Sequence, residues 1–246
     1  MKKFLSFVLL ASSLYANSDL TSRAVIVSLD RTVLSSEIAG EIVELSKFEG
    51  DSFKKGESLI KIDCSVYKAQ KRKIEVEKEI ARLQLEKNKK LDTYGSIGTF
   101  EIQISQENYN KQKAEGDIAS INVSRCDIQA PFDGRIASKK VSKHQSIKPQ
   151  DELLEIVGLD NLEARVVVPS SWLVWLKKGI EFDLSIDETK TTVKAQVVQI
   201  DSVVDPTSQS ITLRAKLLKP FENIITGMSA SANFYQKNKY YKGHEL

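Results

Sequence analysis

The sequence GEIVELSKFEGDSFKKGESLIKI at residues 40–62 has a second copy, GRIASKKVSKHQSIKPQDELLEI, at residues 134–156. The copies align without a gap at one constant offset, from Gly40 to Gly134. The matched positions are Gly40, Val43, Gly50, Phe53, Leu59, Ile60 and Ile62 against Gly134, Ala137, His144, Ile147, Leu153, Leu154 and Ile156. Short alternating strands separated by turn residues cannot bury their apolar face alone. We therefore expect the copies to fold against each other as halves of one β-sandwich.

Residues 1–16 are typical of a secretory signal peptide, with a basic start, an apolar run at 4–10 and small residues before a cleavage site. An uncleaved membrane anchor would need about 20 apolar residues, and this run is shorter. No cysteine follows it, so we expect no lipid anchor of the lipoprotein type. The formal net charge of only +3 gives no electrostatic basis for binding nucleic acid.

The segment 64–126 separates the two copies, lacks proline and is rich in Lys, Glu, Gln and Asn. It predicts an antiparallel α-helical hairpin with its turn at Gly95 and Gly98. A single kinked helix is the alternative, disfavoured because glycine is costly inside a helix. The faces expected to pair are Ala69, Val76, Ile80 and Leu83 in the first helix, and Ile104, Ala114, Ile118 and Ile121 in the second.

Cys64 and Cys126 are the two cysteines of the chain, and they lie at opposite ends of this segment with Gly95 midway between them. In an antiparallel hairpin they would face each other. A secreted chain enters an oxidising compartment, so we expect a disulfide at the hairpin base. Two unpaired buried thiols are the alternative. A metal or redox site is disfavoured because there is no CxxC pair or nearby histidine.

Three segments carry a family resemblance: IAGEIV at 38–43, EGDSFKKGESL at 49–59 and IQAPFDG at 128–134. They resemble the split lipoyl-like domain of periplasmic adaptor subunits, the HlyD-like membrane fusion proteins of tripartite efflux pumps. The motif positions are Gly40, Gly50, Asp51, Gly56, Pro131, Phe132, Asp133 and Gly134. His144 and Gln150 stand where this family usually has glycine, so those turns are expected to differ.

The sequence LEARVVVP at 162–169, with Asp205-Pro206-Thr207 and Gly227-Met228, resembles the β-barrel domain of the same family. Short alternating runs there also predict strands. The fold class is mainly β with an inserted α-helical coiled-coil hairpin. The expected divisions are an N-terminal strand segment at 17–36 joining the barrel, a lipoyl-like domain at 37–63 and 127–158, the hairpin at 64–126, the barrel at 159–236 and a tail at 237–246.

The resemblance implies a periplasmic adaptor that links an inner-membrane RND transporter to an outer-membrane channel of the TolC type and exports drugs or other small molecules. It also implies a homo-oligomer, commonly a hexameric ring, held at the inner membrane through the transporter. The family's docking-tip positions correspond here to Lys87, Leu91, Gly98 and the neighbouring Thr99. An ABC-type exporter or a type I secretion system is the alternative partner.

Other function classes find less support in the residues. A lipoyl or biotinyl carrier has its cofactor lysine at the turn that the hairpin occupies here. We find no Ser/His/Asp, zinc-ligand or phosphate-loop spacing, and His144 and His244 lie in a turn and in the tail. We therefore expect no enzyme, no cofactor and no metal site. A purely structural envelope coiled coil would not require the lipoyl half-motifs.

Overall fold

The computed structural model describes residues 20–218 and 223–235. The predicted signal peptide (1–16) and the tail (237–246) lie outside these residues. The chain divides into two compact units, one of them spanning Ser28–Leu162 and the other combining the residues up to Val27 with those from Glu163 onward. Within the described residues, no helix is both long and apolar enough to span a membrane.

The helices and strands follow one another in a simple order. They are β1 (Thr21–Ser28), β2 (Arg31–Ser35), β3 (Gly40–Leu45), β4 (Ser52–Phe53), β5 (Ser58–Ile62), α1 (Ser65–Asp92), α2 (Thr99–Ser124), β6 (Asp127–Gln129), β7 (Gly134–Lys139), β8 (Ser146–Ile147), β9 (Glu152–Gly158), β10 (Leu162–Pro169), a 3₁₀ helix (Ser170–Val174), β11 (Glu181–Ile186), β12 (Thr192–Ile200), β13 (Ser210–Leu217) and β14 (Ser229–Asn233).

The repeat forms a sandwich in which the two copies exchange strands. One sheet has the order β2-β9-β7-β4 and the other β6-β5-β3-β8. The offset between the copies relates β3 to β7, β4 to β8 and β5 to β9, so each sheet takes two strands from each half. Apolar residues of both copies fill the space between the sheets, with Ile42, Leu59 and Leu154 fully buried. Neither half could bury these residues by itself.

Backbone hydrogen bonds repeat across the two halves as well. The Gly50 N–H donates to the Ile136 carbonyl at 2.9 Å, and the His144 N–H donates to the Ile42 carbonyl at 2.8 Å. Each bond joins one half to the other, and the same offset relates the two bonds to each other. The sandwich therefore has an internal approximate twofold symmetry that extends to single hydrogen bonds.

The second pair of turns keeps its shape without glycine. Gly50 and Gly56 have φ angles of 89° and 80°, and the matching His144 and Gln150 have φ angles of 67° and 74°. The expectation that these turns would differ is therefore wrong for the backbone. Because the strands on both sides fix the turn, the fold imposes a left-handed conformation that is unfavourable for a residue with a β-carbon.

The second unit is a closed barrel with the strand order β1-β10-β13-β12-β11-β14. β1 pairs with β14, which joins the N-terminal strand to the barrel as expected. However, β2 lies in the sandwich, where it pairs with β9. The expected segment 17–36 is thus divided between two units. The reason is that β2 covers the edge of β9, where Leu34 pairs with Leu154.

α1 and α2 pair through a face that we call the inner seam. Every residue of the inner seam is buried or half buried. It comprises Tyr67, Lys71, Ile74, Lys78, Ala81, Leu85 and Asn88 of α1 and Ile102, Ser105, Tyr109, Gln112, Gly116, Ala119 and Val123 of α2. The Asn88 side-chain amide donates to the Ser105 hydroxyl across it. Successive members are three or four residues apart, which is the heptad spacing of a coiled coil.

The predicted pairing faces of the hairpin were wrong. All eight predicted residues are exposed: Ala69, Val76, Ile80, Leu83, Ile104, Ala114, Ile118 and Ile121. The helices instead approach each other through small side chains, including Ala81, Gly116 and Ala119. Distances between packed helices depend on side-chain size at the contact, so small residues there allow close packing. The eight predicted residues remain outside the inner seam.

Candidate functional site

The base of the hairpin is closed by its two cysteines. The Sγ atoms of Cys64 and Cys126 lie 2.00 Å apart and their Cα atoms 5.7 Å apart, a disulfide in the structure. Both residues are buried against the sandwich core. The bond lies where α1 begins and α2 has just ended, so it ties the two helices together at their attachment to the sandwich.

Polar contacts also attach the base to the sandwich. The Tyr67 hydroxyl of α1 donates to the Ala39 carbonyl at 3.1 Å. On the α2 side, Arg125 forms an ion pair with Glu37 at 2.6 Å. Because each helix has its own contact with the sandwich in addition to the disulfide, the hairpin leaves the sandwich in a fixed direction.

The predicted motif at residues 131–134 forms the turn by which the chain re-enters the sandwich. One Asp133 carboxylate oxygen accepts from the Lys55 backbone N–H at 2.7 Å, and the other contacts the Lys54 ammonium at 3.0 Å. The Lys55 N–H is the main cause of a lowered pKa for Asp133, and the Lys54 hydrogen bond is the second. Phe132 is half buried against the core, whereas Pro131 is exposed. Asp133 thus fastens the second half to the first.

At two motif positions, only glycine fits because a β-carbon would have no space. A β-carbon on Gly134 would lie 2.3 Å from the Val157 carbonyl oxygen. A β-carbon on Gly40 would lie 2.5 Å from a methyl group of Ile62. Asp51 has a turn-forming role, since its carboxylate accepts from the Phe48 N–H at 2.8 Å. The contacts of these motif positions are internal to the sandwich.

The tip of the hairpin is a short turn between Asp92 and Thr99. Gly95 has a φ of 65°, and its N–H donates to the Asp92 carbonyl at 2.8 Å. Gly98 is the N-cap of α2. Of the four predicted docking residues, Lys87, Gly98 and Thr99 are exposed and Leu91 is half buried. All four lie in the last turns of α1, in the connecting turn or at the start of α2.

The prediction from sequence missed two aromatic residues at the tip. Tyr94 is 81% exposed and Phe100 is 71% exposed. They flank the glycine turn in the sequence, and this position was a signal that could have identified them. Exposed aromatic side chains are frequent anchors in protein interfaces. Lys89 and Lys90 in the last turn of α1 add positive charge next to them.

The barrel has an aromatic cluster at one end. Trp172 packs edge-on against Phe234, with ring centroids 5.5 Å apart, and Phe182 stacks on Phe234 at 4.3 Å. The 3₁₀ helix that carries Trp172 also presents Val174, which is 88% exposed. Lys177 and Lys178 follow and are exposed. The cluster therefore supports an exposed apolar tip next to two positive charges.

Within residues 20–218 and 223–235, no group of three or more His, Cys, Asp or Glu residues is placed to hold a metal ion. His144 contacts the Glu41 carboxylate through Nδ1 at 2.9 Å and is largely exposed. The structural features that stand out are therefore surfaces and attachment points: the base, the tip and the aromatic end of the barrel.

Residues 31–171 match the family described as "RND MFP, barrel-sandwich hybrid domain". The solvent efflux pump periplasmic linker SrpA of Pseudomonas putida is 24% identical over 212 residues, covering 80% of this chain and 56% of that protein. The multidrug export protein AcrE of Escherichia coli K12 is 25% identical over 232 residues, covering 80% and 58%. The chain thus spans a little over half the length of these curated relatives.

Solved structures share the fold. A MacA–MexA chimera containing the Pseudomonas aeruginosa MexA α-hairpin domain matches with a TM-score of 0.75 at 20% identity, covering 88% of this chain and 80% of the chimera. The membrane fusion protein Spr0693 of Streptococcus pneumoniae R6 matches with a TM-score of 0.72 at 13% identity, covering 88% and 99%. Together with the strand-exchanged sandwich and its inserted hairpin, the match over 31–171 shows that the chain belongs to the RND membrane fusion protein family with a barrel-sandwich hybrid domain.

Proposed function

We propose that this protein is a periplasmic adaptor that connects an inner-membrane RND transporter to an outer-membrane channel of the TolC type. The observation that carries the proposal is the helical hairpin, which is inserted between the two halves of the sandwich and fixed to it at both helices. At 1.5 Å per residue, the 28 residues of α1 extend about 42 Å. A rigid projection of this length suits a protein that joins partners across a distance.

In this proposal the hairpin tip contacts the channel. Lys87, Leu91, Gly98 and Thr99 correspond to the docking positions of the family, and the exposed Tyr94 and Phe100 enlarge the apolar part of this surface. Lysine at position 87 lacks the planar, bidentate fork of arginine, so its polar recognition is less directional. The aromatic residues supply contact area in compensation.

The barrel contacts the transporter in the same proposal. Val174 and its neighbour Leu173 are exposed on the 3₁₀ helix, where the underlying Trp172 and Phe234 hold the backbone in place. Exposed apolar residues on a rigid support are typical of protein interfaces. The adaptor works as a homo-oligomeric ring in the periplasm, reaches it through the signal peptide and stays at the inner membrane through the transporter.

Export of drugs or other small molecules is the proposed process, and the adaptor contributes contacts rather than catalysis. The relatives SrpA and AcrE are named for solvent efflux and multidrug export, which supports this substrate range. An ABC-type exporter or a type I secretion system remains the second candidate for the transporter. Both candidates assign the same role to the hairpin and differ only in the protein that the barrel contacts.

The test uses a photo-crosslinking amino acid placed at Leu91 or at Val174 in the full chain, in cells of the source organism. We expect Leu91 to crosslink to an outer-membrane channel and Val174 to crosslink to an inner-membrane transporter. Mass spectrometry of the Val174 product identifies the transporter as RND or ABC. A control at Thr191, exposed beside a turn of the barrel, should give neither product. Unchanged export after deletion of the gene would contradict the proposal.

A further inference from the structure

Two loops lie side by side at one end of the barrel. Residues 170–180 join β10 to β11, and residues 201–209 join β12 to β13. The Ser170 backbone N–H donates to the Gln209 carbonyl at 2.8 Å, so the start of the first loop is bonded to the end of the second. We call this part of the molecule the two-loop end.

Both loops expose apolar side chains. Val174 is 88% exposed in the first loop and Val203 is 78% exposed in the second, and their neighbours Leu173 and Val204 are exposed as well. Side chains this exposed protrude from the surface, because neighbouring atoms cover little of them. A protein partner would need a matching pocket for each one, whereas a fluid lipid interface accommodates protruding apolar groups of any shape.

Aromatic residues hold the first loop in place. Trp172 and Trp175 are half buried, with ring centroids 5.4 Å apart, and they pack against Phe234 at 5.5 and 6.1 Å. In the part of the chain that the structure describes, neither indole N–H donates a hydrogen bond to another residue. Tryptophan combines an apolar ring with a polar N–H, and it is enriched where a membrane meets water.

Charges at the two-loop end nearly cancel. Lys177 and Lys178 are exposed and form no ion pair with any described residue, while Glu181, Asp201 and Asp205 supply negative charge in the same region. Headgroup phosphates can accept hydrogen bonds from the two ammonium groups. The carboxylates oppose a purely electrostatic attraction to anionic lipid. Binding of lipid at this end therefore depends mainly on the apolar side chains.

The two-loop end is also where β1 begins and β14 ends. The Phe234 N–H donates to the Leu20 carbonyl at 2.9 Å. The predicted signal peptide (1–16) ends four residues before Leu20, and four residues span at most about 14 Å. Until it is removed, the signal peptide holds this part of the chain at the inner membrane. The sequence KNKYYK at 237–242 adds lysine and tyrosine, which are also typical of membrane interfaces.

We propose that the two-loop end binds directly to a lipid bilayer, with Val174 and Val203 inserted among the headgroups and Trp172 and Trp175 at the boundary with water. The inference rests on the periplasmic location and signal peptide of the proposed function. It adds a lipid contact to the contact with the transporter, which the same end of the barrel meets at the membrane surface. One copy inserts few side chains, so several copies in one assembly bind more strongly than one.

The tryptophans report on this contact directly, because Trp172 and Trp175 are the two tryptophans of the chain. The experiment mixes purified mature protein (17–246) with vesicles of phosphatidylethanolamine and phosphatidylglycerol, with or without bromine on the acyl chains. Bromine quenches tryptophan fluorescence at short range. We expect the protein to sediment with both kinds of vesicle and its fluorescence to be quenched by the brominated lipid. Absence of sedimentation and of quenching would overturn the proposal.

Lipid composition separates apolar insertion from electrostatic adsorption. We expect the protein to bind phosphatidylcholine vesicles too, and to remain bound at high salt, because the charges at the two-loop end nearly cancel. Binding that requires phosphatidylglycerol and disappears at high salt would contradict insertion of the valines.

Variants identify the inserted side chains. Burying one valine side chain changes a binding constant by roughly tenfold or more. The Val174→Asp, Val203→Asp double variant should therefore bind vesicles at least roughly tenfold more weakly than wild type. Ile225→Asp is the matched control and should bind like wild type. Ile225 is an exposed apolar residue that precedes β14, at the opposite end of the same barrel. Circular dichroism and thermal unfolding show whether each variant folds.

Two outcomes would move the contact elsewhere and overturn the proposal. Wild-type binding by the folded double variant would exclude the two valines. Loss of binding after removal of residues 236–246, with full binding by the double variant, would assign the contact to the tail.

Failure of this inference is distinguishable from failure of the adaptor role, because the vesicles contain no transporter. If deletion of the gene leaves export unchanged but the vesicles bind, the adaptor role fails and the lipid contact stands. If Val174 crosslinks to a transporter in cells but the purified protein binds no vesicle, the two-loop end contacts protein alone. The adaptor role then stands and the lipid contact fails.

Discussion

Gln150 occupies in the second half of the sandwich the place that Gly56 occupies in the first, and the two residues have nearly the same φ, 74° and 80°. Their backbone N–H groups both donate across the sandwich, to the carbonyls of Ser36 and Ala130. Since the turn itself is common to both halves, the side chain at position 150 bears a conformational cost that Gly56 avoids.

Replacing Gln150 with glycine should therefore stabilise the protein. Relief of the left-handed strain should raise the free energy of unfolding by about 1 kcal/mol. The greater conformational freedom of glycine in the unfolded chain reduces this gain somewhat. Urea unfolding measures the change. Gln150→Ala is the matched control, because it removes the same side chain but keeps the β-carbon, and it should show no such gain. Loss of stability in Gln150→Gly would contradict this explanation.

The disulfide between Cys64 and Cys126 should stabilise the protein without determining its fold. Closing a loop with a sequence separation of 62 residues contributes at most roughly 4 kcal/mol. We expect the Cys64→Ser, Cys126→Ser double variant to melt earlier with an unchanged circular dichroism spectrum, and reduced wild-type protein to melt like the variant. Peptide mapping without reduction should find the two cysteines linked, and free thiols after careful alkylation would rule the bond out.

Gly134 should not tolerate even alanine. The added β-carbon would meet the Val157 carbonyl oxygen at 2.3 Å and the Phe53 ring at 2.9 Å, so strands β7 and β9 would have to separate. Such overpacking costs roughly 1–3 kcal/mol. Gly98→Ala is the control, since nothing lies within 4 Å of its β-carbon. Thermal unfolding and periplasmic abundance measure both variants, and equal stability of the two would show that the re-entry turn is misassigned.

Asp133 should give the sandwich an acid-sensitive component of stability. Its pKa lies below the ordinary 3.8 in the folded protein, so the carboxylate stabilises the fold fully above pH 3.8 and loses this effect as the pH falls through the lowered value. Asp133→Asn should therefore be less stable than wild type at pH 6, and the difference should shrink below pH 3.8. Gln70→Asn, an exposed change on α1 that removes no ionisable group, should show no such narrowing. Unfolding curves across this range provide the measurement.

Leu91→Asp should abolish export while leaving the protein abundant. The residue is half buried near the end of α1, far along the helix from the base, so an added charge there removes an apolar contact without disturbing the sandwich. Crosslinking to the transporter should persist and crosslinking to the channel should be lost. Ser96→Asp, in the exposed turn that follows α1, is the control and should export normally. Full export by a stable Leu91→Asp protein would show that the tip does not dock in this way.

The sequence predicted the sandwich because the repeat was visible at single positions such as Gly40 and Gly134. It also predicted the hairpin, because proline is absent and two glycines mark the turn. It failed on which faces of the helices pair. Apolar content alone favoured Val76 and Ile80, but the helices approach each other through Ala81 and other small residues.

Two other features were missed for different reasons. The prediction treated residues 17–36 as one N-terminal strand segment that joins the barrel. The pairing of β2 with β9 depends on a strand more than a hundred residues later. Such long-range register leaves little trace in a single sequence. Tyr94 and Phe100 flank the glycine turn in the sequence, but they lie outside the family's docking pattern, so the resemblance did not identify them. The structure adds the extent of their exposure.

Exchange of strands between the halves has a consequence for the order of folding. Arg31 in β2 pairs with Val157 in β9, so the first half of the sandwich emerges with unsatisfied strand edges and cannot close until the last strand of the second half arrives. Contacts so distant in sequence form slowly. The intervening helices α1 and α2 pair with each other, so the hairpin can form before the sandwich closes. Once Cys64 and Cys126 are joined, the two halves of the sandwich are linked at the hairpin base, and the loop that must close to bring them together is shorter. The hairpin thereby lowers the entropic cost of folding the sandwich.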